Sequence, residues 1–201
     1  MPGGRTLPDR SDRCLNVALG IAQPDACTRT RKMMHCLKGR VRKLVYIYRD
    51  PDVRAFKLAD VSRPVRVWSD LKKICAEEKI DLLQCANWPD DFAYSALTQK
   101  VDSRVVHDSH DIGSLYLHLP SLADAVQKEK YVCTHADGIL SVAQGSIDYL
   151  KNRWGPTCPT HVLYNYPLRS WIPDSVEETI SFDPARLAYE GGIVEATEQY
   201  R

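Results

Sequence analysis

The stretch Ser103–Asp111 carries an apolar, β-branched pair, Val105-Val106, that runs straight into His107-Asp108-Ser109-His110-Asp111. Two imidazoles and two carboxylates within five residues can exchange protons near neutrality, ligate a metal, or hydrogen-bond a polar molecule. Three chemistries compete for them. A hydrolytic zinc site needs three or four convergent ligands with one open position, and this local order lacks an H-x-H-x-D-H type of spacing. Capping of a loop by Asp and His is a structural use of the same groups. The third is substrate contact, with a His at the mouth of a crevice holding a polar group. A strand that opens into such residues suits an open α/β sheet, where ligands bind outside the carboxyl ends of the strands.

A second chemically marked region is basic. Arg29, Arg31, Lys32, Lys38, Arg40, Arg42 and Lys43 fall within fifteen residues that contain no acid, a local positive field. Just before it, the loop Gln23 to Thr28 leads into a helix whose free N–H groups can face an anion, with Arg29 and Arg31 behind. An ordinary helix start with a solvated basic face accounts for the same residues.

The elements that must position these groups alternate. Apolar runs of strand length occupy 14–21, 43–49, 64–68, 80–86, 103–109, 138–143 and 161–166. Between them lie helical patterns: Met33, Met34 and Leu37 on one face, stopped by Gly39; Leu71, Ile74 and Cys75 after Ser69 as N-cap; a helix near 90–100; one capped by Ser121 with Asp124; and Ile147, Leu150, Lys151 and Trp154 closed by Gly155-Pro156. Alternating strand and helix requires a parallel sheet, and right-handed crossovers place helices on both faces. The expected fold is α/β, a Rossmann-like doubly wound, mostly parallel sheet of six to seven strands. Its expected core includes Val105, Val106, Leu122, Val126, Ile139, Leu140, Val142, Ile147, Leu150 and Leu163.

Composition narrows the function classes. The chain has 201 residues, 44% hydrophobic and 26% charged, with a net charge of +1, so no global field draws it to nucleic acid. No apolar run approaches the about 20 residues needed to cross a bilayer. Seven cysteines, odd in number, widely spread and without CxxC, point to buried, reduced thiols in a cytoplasmic protein. Neither GxGxxG after the first strand nor GxxxxGK[ST] occurs, which removes the dinucleotide fingerprint and the Walker loop.

Several segments together resemble the N-terminal half of the metal-independent retaining glycosyltransferases of family 4, which have the two-domain GT-B fold. The resemblance covers roughly residues 14–193. Asp25 through Lys32 resembles the variant of the first loop and helix that has an Asp and Arg pair in place of two glycines. Val105-Val106 to His110-Asp111 resembles the strand ending in the family's His-Asp. Lys128-Glu129-Lys130 to Ala143 resembles its Glu-containing helix and following strand, Val162-Leu163-Tyr164-Asn165 its Asn-bearing strand, and Leu187 to Gly192 the opening of its second domain.

The resemblance implies an acceptor-side domain of a hexosyltransferase using a nucleotide-sugar donor as substrate, with no cofactor and no metal. His110 and Asp111 would be catalytic, His110 contacting the donor sugar. Asp25, Thr28, Arg29, Asn87, His107, Ser141 and Asn165 would bind substrate. The expected organisation is a flexible leader over 1–13, the Rossmann-like domain over 14–167, and a linker with the start of a truncated second domain over 168–201. Because the family's donor site lies chiefly in the second domain, the chain alone is expected to be inactive. The expected partners are a nucleotide sugar, an unknown acceptor, and a second GT-B domain or partner chain, with at most peripheral membrane contact through Arg29 to Lys43. The alternative is a non-catalytic α/β binding module, or a truncated product that pairs with another chain.

Overall fold

The computed structural model describes residues 15–21, 28–49, 58–87, 90–115, 122–166 and 170. The expected leader and all of 168–201 except Ser170 lie outside the described residues. The chain divides into two compact units, Met1–Tyr166 and Pro167–Arg201, and the strands and helices below belong to the first.

Among the described residues seven strands form one parallel sheet: β1 (Asn16–Ile21), β2 (Lys43–Tyr48), β3 (Val61–Pro64), β4 (Leu82–Ala86), β5 (Arg104–Ser109), β6 (Gly138–Ser141) and β7 (Thr160–Val162). Their order is β3-β2-β1-β4-β5-β6-β7, and each neighbouring pair is parallel. The helices are α1 (Thr28–Leu37), α2 (Asp70–Glu77), α3 (Asp91–Thr98), α4 (Leu122–His135) and α5 (Gln144–Trp154). Strand order reverses between β1 and β4, so the connections leaving their carboxyl ends part there and open the crevice in which such sheets bind ligands. This is the doubly wound arrangement the alternation predicts.

Side-chain alternation along the strands assigns the two faces. Val17 and Leu19 of β1 pack with Leu44, Tyr46 and Met34 of α1. Ala18, between them, packs on the opposite face with Val45, Ile47, Leu71 and Ile74 of α2, and Phe92 of α3. Helices α4 and α5 share that second face, where Cys133 meets Ile139, Ile147 and Leu150. Gly20 also points there: a Cβ at this position would lie 3.0 Å from Phe92 Cδ1, so the absence of a side chain lets α3 seat against β1.

The expected core is divided by this facing. Val105, Ile139, Ile147 and Leu150 are buried, whereas Val106, Leu140, Val142, Leu122, Val126 and Leu163 are half-buried. Val106 and Leu140 fall on the face carrying α1, whose packing is with β1 and β2. Cys75, Cys85 and Cys133 are free and, as expected, buried, but Cys36 is exposed on α1.

Three local expectations shift. The third strand ends at Pro64 instead of beginning there, and Val65 is buried just beyond it. The following residues turn instead of extending because Asp70 Oδ2 accepts the N–H groups of Arg66 and Val67, at 3.2 and 3.1 Å. Ser69 makes no side-chain cap bond. The stop glycines behave as expected: Gly39 and Gly155 have φ of 76° and 60°, a region side chains disfavour.

These facings predict unequal costs for the same change on neighbouring residues. Val105→Asp places a carboxylate in the dry face and lowers unfolding free energy by roughly 3 kcal/mol or more. Val106→Asp costs clearly less. Urea denaturation of both variants checks this, and equal losses would contradict the register of β5.

Candidate functional site

Strand β5 brings the titratable cluster to the carboxyl edge of the sheet, but its pleat sends consecutive residues to opposite faces. Asp108 points to the face of α1. There the Arg29 guanidinium grips it, with Nη2 at 2.7 Å from Oδ1 and Nε at 2.8 Å from Oδ2. Gln84 of β4 adds a third donor, Nε2 at 2.8 Å from Oδ2. Both partners are enclosed, Arg29 at 2% and Asp108 at 0% exposure. Arg29 also donates from Nη1 to the carbonyl of Leu163, 2.6 Å away and 134 residues on. Lys32, one turn along α1, donates to the carbonyls of Tyr164 and Tyr166 at 2.8 and 2.9 Å. Burial, with Arg29 beside it, holds the Lys32 ammonium below its usual range. The last strand stops at Val162 where the sequence suggests it runs to Tyr166, and the carbonyls of Leu163, Tyr164 and Tyr166 are bonded to α1 instead.

Immediately after β5 the chain bends, and Asn87, at the end of β4, clamps the bend. Its Oδ1 accepts the N–H groups of His110 and Asp111, at 3.1 and 3.3 Å, and its Nδ2 donates to the carbonyl of Asp111. Ser141 is fully buried and donates to the carbonyl of Ser109 at 2.6 Å, anchoring the same bend to β6. His110 and Asp111 are held at the edge with side-chain exposures of 21% and 40%. Their Nε2 and Oδ2 are 3.6 Å apart, and Nδ1 of His110 is buried with no hydrogen-bond partner. An imidazole on a backbone held in this way, with a carboxylate beside its outer nitrogen, can donate to or accept from a hydroxyl group placed over the strand ends.

His107 points to the other face and is fully enclosed. Its Nε2 lies 3.7 Å from Oδ1 of Asp90, the residue that precedes α3. Burial pushes the imidazolium down to about 4, over the opposing pull of Asp108. Burial, then the Glu129 and Asp91 carboxylates, push Asp90 up to about 7. Between these values neither group is charged, so the contact is not an ion pair. Glu129 of α4, also buried, is well served: Oε2 accepts the N–H of Ser114 at 3.0 Å and Oε1 accepts Trp154 Nε1–H at 2.7 Å. Glu129 and Ser114 thereby fix the 3-10 turn Gly113–Leu115 that follows the bend.

The nine sequence-derived site residues therefore separate. His110 and Asp111 are presented at the edge, with Asn87 and Ser141 buried beneath them as backbone anchors. Arg29 is turned inward onto Asp108, and His107 is enclosed. Asn165 is exposed beyond β7. Asp25 and the Thr28 side chain lie outside the described residues. Of the basic run, Arg31, Lys38, Arg40 and Arg42 are exposed, while Arg29 and Lys32 are buried. Asp90 and Glu129 were not singled out as site residues by sequence reasoning. Glu129 did leave a signal: it sits three and four residues before Val132 and Cys133, on the buried stripe of α4. Among the described residues no group of three His, Cys, Asp or Glu could hold a metal ion, and no helix is long and apolar enough to cross a membrane.

Comparison with known proteins bears on this geometry. The sequence profile described as Glycosyltransferase Family 4 matches residues 23–166, well over half the chain. No curated protein matches it in sequence. Among solved structures, sucrose-phosphate synthase from Thermosynechococcus elongatus is similar at a TM-score of 0.55 and 13% identity, covering 74% of this chain and 48% of that protein. HepE of Anabaena, solved in complex with UDP, is similar at 0.57 and 13%, covering 75% and 44%. At such identities the likeness is one of fold. The chain spans about half the length of either protein.

The Arg29–Asp108 pair predicts a non-additive cycle. Arg29→Met leaves Asp108 buried without a countercharge and costs about 3–5 kcal/mol. Adding Asp108→Leu removes the stranded charge and restores part of the loss. Urea unfolding of the two single variants and the double variant reads this coupling; strictly additive losses would contradict a buried, mutually satisfied pair.

Proposed function

The chain belongs to glycosyltransferase family 4, and on that premise we propose that it forms the acceptor-side half of an enzyme that transfers a sugar from a nucleotide donor with retention and without a metal. The observation that carries this reading is the presentation of His110 and Asp111 at the carboxyl end of β5, clamped by Asn87 beside the point where strand order reverses. The UDP bound to HepE, a protein of similar fold, supports a nucleotide-linked donor. His110 contacts the donor sugar near the reacting carbon, and Asp111 orients the imidazole. The donor half of the cleft comes from a second domain, whether in the same polypeptide or in a partner chain, a reading supported by the span of about half its solved relatives.

In this reading the fold's contribution is positional. Holding donor and acceptor in attack geometry is worth roughly 7–11 kcal/mol when fully realised, and a single half-cleft holds only one of them. The imidazole adds a hydrogen bond that strengthens as charge develops on the sugar. The Arg29–Asp108 pair and the Asn87 clamp act earlier, by making the strand end rigid before any ligand arrives.

Transfer from a panel of nucleotide sugars, followed as nucleotide release and product anomeric configuration, tests the proposal in the 201-residue chain and in a form completed by a second GT-B domain. The completed form is expected to turn over with retention and to be indifferent to chelator, while the chain alone is inactive. His110→Ala in the completed form lowers the rate by about 10- to 1000-fold, or roughly 1.4–4 kcal/mol. Full activity of His110→Ala with an unchanged melt, or inversion of configuration, would overturn the mechanism. Robust turnover by the chain alone would overturn the half-cleft reading, and failure of every completed form would favour a binding module instead.

A further inference from the structure

Behind the bend that carries His110 lies a group the proposed chemistry does not use. Asp90 is almost fully buried, and its Oδ1 has no hydrogen-bond partner. Facing it, both ring nitrogens of His107 are likewise buried and unpartnered. Glu129 completes the cluster. Viewed from Gly113, where a Cβ would sit 3.7 Å from Glu129 Oε2 and 3.8 Å from Asp90 Oδ2, the two carboxylates back the same residue of the turn after His110. Both of Glu129's oxygens are served by donors, from Ser114 and Trp154, so it is suited to carry the negative charge. Asp90 lacks an equivalent donor at Oδ1.

We propose that Asp90 is a positioning residue for His110: its carboxyl, wedged behind Gly113 between Glu129 and His107, seats loop 110–115, and the loop follows whether that carboxyl carries a proton. The inference rests on the reading of His110 as the sugar-contacting residue, but the movement of the loop does not. With the proton in place, Asp90 is a neutral group beside the neutral His107, whose Nε2 lies 3.7 Å from Oδ1. When the proton leaves for solvent, Asp90 becomes a second carboxylate beside Glu129 in a dry space. The new charge also competes for the Asn87 side chain, which lies beside Asp90 and holds the N–H groups of His110 and Asp111. Both effects act on the backbone of the loop.

The charged and titratable surroundings leave this proton little alternative. From α4, Glu129 raises Asp90 and Lys128 lowers it, and Cys133 stands next to the pair. Lys128 is already engaged by Asp91 and Asp124, at 2.7 and 2.6 Å. From α3, Asp91 adds a further negative charge. From β5 come His107 with Asp108 and His110 beyond it. The turn Gly113–Leu115 brings no charge. Burial first and these carboxylates second place the Asp90 transition at about pH 7, up from 3.8. Because the folded value lies above the unfolded one, the stability this proton confers is complete below about pH 4 and lost as pH rises through about 7.

Nuclear magnetic resonance of the 201-residue chain tests this without substrate. The Asp90 carboxyl carbon is expected to titrate near pH 7, and the amides of 110–115 to shift with the same midpoint. Asp90→Asn, which keeps the shape and a donor, is expected to remove that midpoint and hold the loop resonances near their low-pH positions. Asp91→Asn is expected to retain it at a lower pH. Loop amides that do not move between pH 6 and 8 in the parent chain, an Asp90 carboxyl titrating near 4, or an unchanged transition in Asp90→Asn would each overturn the proposal. In the completed enzyme, kcat/KM is expected to fall above pH 7 in the parent and to stay level in Asp90→Asn. A loop that titrates with Asp90 in an enzyme indifferent to His110→Ala would remove the catalytic reading of His110 and the positioning role with it, leaving the coupled loop. A requirement for His110 with a loop that does not titrate would remove the role of Asp90 alone.

Discussion

The buried contact between Arg29 and Asp108 is the constraint on which the rest of this domain depends. A charge of either sign alone in that position would be costly to bury, by several kcal/mol. Together, with Gln84 as a further donor, they satisfy each other and join α1 to the two central strands β4 and β5. The same guanidinium holds Leu163, and Lys32 holds the two tyrosine carbonyls that follow. First helix, central strand and exit from the sheet are thus tied through one basic face. A buried pair of this kind contributes modestly to net stability but strongly to a single geometry, because each alternative arrangement strands a charge.

That geometry decides which polar groups reach the edge of the sheet. The pleat of β5 turns Asp108 toward α1 and His107 toward α3 and α4, each into a dry environment. Only after Ser109, where the strand ends and Asn87 takes over the backbone, do His110 and Asp111 reach the edge. The site is therefore a surface pair standing on two interior clusters of different kinds. One, on the α1 face, is a fixed ion pair. The other, on the α3–α4 face, holds a carboxylate, a carboxyl that titrates near neutrality and an imidazole that stays neutral there.

Much of the fold was legible because its signals are local. Apolar runs separated by turn residues marked six of the seven strands found among the described residues, the third being displaced, and Gly39 and Gly155 ended helices where their positive φ favours glycine. The exceptions have distant causes. The segment after β7 is bonded to side chains of α1 more than 130 residues earlier, and β3 moved because Asp70 folds the next residues back into a turn. At the site, the cluster at 107–111 was visible as composition, and its division could have been read from the period of two within β5. What no local pattern shows is that Arg29, near in character to an anion-binding residue, has an internal anion as its partner. The buried Asp90 was hidden for the same reason: its neighbours come from three separate elements.

The central claim, that His110 faces ligand while His107 serves the interior, is tested most directly by histidine-selective carbethoxylation read by peptide mass spectrometry. In the folded, completed enzyme the account predicts rapid modification of His110, slowed by bound nucleotide sugar, with His107 unmodified until the protein unfolds. Modification of His107 in the native protein, or a His110 rate that saturating nucleotide sugar leaves unchanged, would contradict it.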